Sequence, residues 1–111
     1  AEAEILLRSA RERLPIYYAA LTEKLAIILY LQDKKPDAIN ELETARSRSR
    51  IEMLDGSKNV LLRLGLLYAE SGNADQARAD LNEYLNSTET LTSPNVLADR
   101  KQAQAALARL K

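Results

Sequence analysis

The chain has 111 residues, with 16 Lys and Arg balanced by 16 Asp and Glu. At about 100–200 residues per domain that is one domain, long enough to bury roughly two-thirds of its unfolded surface. It holds no Cys and no His, which excludes disulfides, thiolate chemistry, the commonest metal ligand and the usual acid–base residue near neutral pH.

Ala (17) and Leu (20) make up a third of the chain, while Val and Ile together number eight. Ala and straight-chain residues lose little freedom in a helix, so the composition points to an all-α fold. The longest apolar run, Leu25 to Leu31, has seven residues. A bilayer-spanning helix needs about 20, so we expect no membrane span. Balanced charge argues against nucleic-acid binding.

Residues 2–14 carry Ile5, Leu6, Leu7, Ala10 and Leu14 as a helical stripe. Pro15 disfavours helical geometry at Leu14 and ends the segment. A second stripe over 16–32 holds Ile16, Ala20, Leu21, Leu25, Ile28 and Leu29. Asp33-Lys34-Lys35 is a polar break, and Pro36 with Asp37 suits the first turn of a third helix running to about Met53. After the turn signal Leu54-Asp55-Gly56-Ser57, Ser57 can cap a fourth helix from Lys58 to about Ser71. Gly72 suits the left-handed position past its end. A fifth helix opens at Asn73-Ala74-Asp75 and runs to about Asn86. Residues 87–95 read as a loop, and Ser93 with Pro94 opens a sixth helix ending at Leu110.

Two of these segments repeat. Leu64 to Ala77 aligns with Leu25 to Ala38, and a Leu follows four residues later in both, Leu81 and Leu42. Ala3, Leu7 and Ala10 echo Ala38, Leu42 and Ala45, so the anchor alanines 3, 38 and 77 are spaced by 35 and 39 residues. Periods of this length mark stacked supersecondary units, each needing its neighbours to bury an apolar face.

Leu61-x-x-Leu64-Gly65-x-x-Tyr68 followed by Ala77-x-x-x-Leu81 resembles the tetratricopeptide repeat pattern. Leu61 stands where that family often has Trp, and Leu81 where it has Phe. Pro15 falls at the place of the closing Pro, 12 residues after Ala3. The first copy is blurred, with Ala26 for the Gly and Leu29 for the Tyr. The resemblance implies antiparallel helix pairs stacked as a short right-handed superhelix of about six helices. It divides a single domain over 1–111 into a half repeat at 1–15, a degenerate repeat at 16–53, a well-matched repeat at 58–92 and a capping helix at 94–111. The small residues Ala26, Ala38, Gly65 and Ala77 then let paired helices approach closely, and this packing role accounts for them without any ligand.

The resemblance also implies a function. The inner surface of such a stack is the usual binding surface, lined by the first helix of each pair. The residues beside the packing set are Glu23, Lys24, Ile27 and Tyr30, with Ala20 and Leu31, in one repeat. In the other they are Asn59, Leu62, Arg63, Leu66 and Glu70. Ile27, Leu62 and Leu66 would form an apolar floor; Lys24, Asn59 and Arg63 would donate to a peptide backbone or carboxylate. In one branch of the family Lys, Asn and Arg clamp a C-terminal carboxylate; Arg63 could be that Arg, but the other places are unfilled here. The expected partner is a protein, peptide or helix. A second possibility is that Leu62 and Leu66 are covered by a preceding helix or another subunit. The chain then serves a larger assembly through self-association or upstream repeats. The chain begins without Met and in mid-repeat, so we expect a longer parent protein.

Other charged groups read as surface. Arg46 and Arg50 share a helix face and could bind an anion, yet a solvated helix end with Glu43 beside Arg46 explains them as well. Arg100, Lys101, Gln104 and Arg109 give the last helix a polar outer face, as a terminal cap requires. Adjacent Tyr17 and Tyr18 must point to different sides, one of them into the core. Glu41 and Glu43 splay apart on a helix and make a poor acid–base pair. With no phosphate loop, metal spacing or nucleophile motif, we expect neither an enzyme nor a cofactor.

Overall fold

The computed structural model describes residues 2–52 and 57–110, and every regular element among them is helical. Six α-helices and one short 3-10 turn follow in order. They are α1 (Glu2–Arg13), the 3-10 turn (Pro15–Tyr17), α2 (Tyr18–Leu31), α3 (Lys35–Glu52), α4 (Ser57–Glu70), α5 (Ala74–Ser87) and α6 (Pro94–Arg109). No helix is long and apolar enough to cross a membrane. The chain divides into two compact units, Ala1–Val60 and Leu61–Lys111.

The expected segments are present, with local differences. The second segment is not one helix from residue 16: Pro15 starts a 3-10 turn, and the α-helix begins at Tyr18. Leu14 sits at φ −129°, ψ 69°, outside helical space, as the residue before a proline prefers. Met53 and the turn residues Leu54 to Gly56 lie outside the described residues. Ser57, expected to cap the fourth helix, is its first residue, and its side chain is likewise outside them.

Two turns share one geometry. After α2, Asp33 takes φ 62° and Lys34 N–H donates to Leu29 C=O at 2.8 Å. After α4, Gly72 takes φ 82° and Asn73 N–H donates to Tyr68 C=O at 2.9 Å. A left-handed residue with a bond reaching back five positions satisfies the last carbonyls of a helix. Glycine does this without strain, and Asp is among the few others that tolerate it. Ala38 and Ala77, 39 residues apart like the turns, then donate to the carbonyls of Lys34 and Asn73, both at 3.0 Å. The Asn73 side chain caps α5 by accepting from Gln76 N–H at 3.4 Å. Ser93 accepts from Val96 N–H at the start of α6, with Pro94 in its first turn.

The repeated positions are the core. In the first unit Leu25, Ala26, Leu29, Ala38, Leu42 and Ala45 are buried; in the second, Leu64, Gly65, Ala77 and Leu81 are. Gly65 shows why the position is small: a Cβ there would lie 2.6 Å from Cγ and Cδ2 of Leu81. The first helix departs from its apolar stripe. Ile5, Leu6 and Leu14 are exposed, Leu7 and Ala10 are half-buried, and the one buried side chain of α1 is Arg11.

Candidate functional site

The sequence-derived residues on α2 form an open face. Ala20, Lys24, Ile27 and Leu31 recur at helical spacing and all are exposed, Leu31 at 77%. Tyr17 and Tyr30 flank them, both exposed. Lys35 Nζ stands 5.7 Å over the Tyr30 ring, a cation–π contact that fixes the ring at the edge of this face. Glu23 is half-buried. Glu23 and Tyr30 each already take part in an interaction within the protein.

The residues on α4 do not form a matching floor. Asn59 and Glu70 are exposed, and Arg63 is half-buried. Leu62, expected to be open, is buried at 2% in a cluster with Leu61, Leu81, Tyr84, Ala103 and Ala106, against which Leu66 packs. Leu61 and Leu62 are neighbours and so point about 100° apart, yet both are buried. Ala103 and Ala106 of α6 belong to this same cluster, so Leu62 shares its core with residues of both α5 and α6. Within the second unit, Leu62 and Leu66 therefore pack against that cluster. Arg63 and Glu70, like Glu23, already have partners in the chain.

A polar cluster in the first unit was not legible as such. Both oxygens of Glu41 on α3 are held from α1, by Arg8 Nη1 at 2.6 Å and Arg11 Nη1 at 2.8 Å. Arg11 Nη1 also donates to Thr22 Oγ1 of α2 at 3.0 Å, while its buried Nε has no hydrogen-bond partner. Glu4 supports Arg8 from the same helix at 3.4 Å. The buried tyrosine of the adjacent pair is Tyr18, with the Arg11 guanidinium 4.7 Å and that of Arg48 4.3 Å from its ring centre; Tyr17 is exposed. Burial pushes the Glu41 carboxyl up, but the bonds and charges of Arg11 and Arg8 outweigh this and hold it below its ordinary value. The signal in the sequence was the pair Arg8 and Arg11, three apart on a face that should have been apolar.

Arg100 is also not a plain surface residue. Its Nη1 donates to Leu85 C=O at 2.6 Å and to Thr88 Oγ1 at 2.7 Å, closing the end of α5. The pair Glu43–Arg46 forms as expected, at 3.4 Å. The side chain of Arg50 is outside the described residues, so an anion site shared with Arg46 has no geometry here. Among the described residues, no group of three carboxylates is placed to hold a metal ion.

No family model, no curated protein and no solved structure matches the chain.

Proposed function

We propose that the chain is a tetratricopeptide-like repeat segment that acts without catalysis, by binding a partner peptide or helix on the exposed face of α2. The observation that carries this reading is the run Ala20, Lys24, Ile27, Leu31: a fully formed helix, anchored by a buried opposite face, that leaves Ala20, Ile27 and Leu31 in solvent around a lysine. Stripes of this kind mark interaction surfaces. Lys24 adds a cation beside the apolar groups, suited to a carboxylate on the partner. The two turns of one geometry and the recurring core positions support the repeat reading. In the right-handed superhelix that the family implies, α2 would lie on the inner surface. On α4, Leu62 is buried in packing and offers no apolar floor.

A second reading is an assembly segment that stacks on further repeats or on a copy of itself. Ile5 and Leu6 favour it, since they expose a separate apolar patch on α1.

Panning a random peptide library against the wild type and an Ile27→Asp/Leu31→Asp variant tests the first reading. It expects a shared motif from the wild type alone. If the folded variant yields the same motif, or neither protein enriches one, the α2 face is not a peptide site. Light scattering across a concentration series then tests self-association.

A further inference from the structure

Helix α1 is fastened differently from the elements it rests on. Its one fully buried side chain is an arginine; of its large apolar residues Ile5 and Leu6 face solvent and Leu7 is half-buried. In contrast, α2 buries Ala19, Leu25, Ala26 and Leu29. The bonds that hold α1 converge on Glu41 through Arg8 and Arg11, with Thr22 and the Tyr18 ring completing the seat of Arg11. Behind it, Leu14 to Tyr17 are all exposed, so no buried side chain ties down the connection to α2.

We infer that α1 is a detachable helix, latched to the α2–α3 pair through Glu41, which opens as a unit while α2 and α3 stay folded. Elements with few buried apolar contacts open locally at a lower free energy than the core. On the Arg8 side the latch is half-exposed, so water and salt reach it as they do not reach a buried leucine layer. Opening bares a tyrosine ring, a hydroxyl and a carboxylate on the α2–α3 pair, whichever partner the exposed α2 stripe takes.

Native-state hydrogen exchange of the full chain in rising urea tests this. In the wild type the amides of Leu7, Ala10 and Arg11 are expected to share one opening step, faster than those of Leu25, Leu29 and Leu42. Glu41→Gln should speed α1 exchange by about tenfold or more, the worth of charged hydrogen bonds, and, because it raises the native state against the α1-open and unfolded states alike, leave the gap between the α1 and the α2–α3 isotherms as it is in the wild type. Thr22→Val, which removes one acceptor of Arg11, should speed α1 by a smaller factor, about threefold. The inference is overturned if wild-type α1, α2 and α3 amides follow a single isotherm, or if Glu41→Gln leaves α1 exchange unchanged. A Glu41→Gln chain that does not fold at all overturns it too, since loss of α1 alone must leave the α2–α3 pair standing.

Discussion

At Gly65 two opposing effects meet. Replacing a helical Gly by Ala stabilises an unhindered helix by about 1 kcal/mol. Here the added Cβ meets Leu81, which is fully buried, and comes within 3.3 Å of its backbone nitrogen, so neither atom group has room to move. Overpacking costs about 1–3 kcal/mol. We predict that Gly65→Ala lowers stability by a net ~1 kcal/mol, and that Gly65→Ala combined with Leu81→Ala does not show the full sum of the two single losses, as urea denaturation can measure. Glu41 gives a second test at this scale. Its folded-state pKa lies below the ordinary 4.5, so its contribution is complete above 4.5 and is lost progressively as the pH falls from there through the lower folded-state value. The groups facing it are Arg8 and Arg11 from α1, and Arg8 also holds Glu4. Glu41→Gln should cost about 1–2 kcal/mol near pH 7, discounted because Arg8 is half-exposed. The gap between wild type and variant in urea midpoint should narrow as the pH drops below about 4.5.

At the scale of the element, the helices and their ends were legible because local chemistry sets them. Pro15, Pro94, Ser93, Gly72 and Asn73 each act within a few residues, and each does so in the structure. The repeat register was legible for the same reason: Leu25, Ala38 and Leu42 recur as Leu64, Ala77 and Leu81, and all six are buried. What the sequence hid lies in contacts between helices. Arg11 looked like a polar residue between apolar ones, yet it is buried because Glu41, thirty positions away, and Thr22 satisfy its guanidinium. Leu62 looked like groove floor because a core shared with residues of α5 and α6 has no local signal. Arg100 looked like solvent-facing charge, but the open carbonyl end of α5 lies within its reach. We predict that Arg100→Ala costs about 1–2 kcal/mol, with the loss of exchange protection concentrated at the last turn of α5. Leu62→Ala should cost about 2–5 kcal/mol, as a core truncation does and a groove-floor truncation would not.

At the scale of the molecule, the residues that hold the fold are distinct from the exposed α2 stripe proposed to meet a partner. The core positions of each unit fall on the repeat pattern, and the exposed stripe of α2 falls beside it. Ile27→Asp and Leu31→Asp should therefore leave thermal stability within about 0.5 kcal/mol of wild type, as surface changes do, while abolishing peptide capture. The most direct test of the central claim is an amide chemical-shift titration of the isotopically labelled chain with a peptide recovered by panning. Binding on the α2 face predicts perturbations that cluster on Ala20, Lys24, Ile27, Tyr30 and Leu31 and saturate with one peptide. Perturbations confined to α5 and α6, with the α2 stripe unmoved, would contradict it.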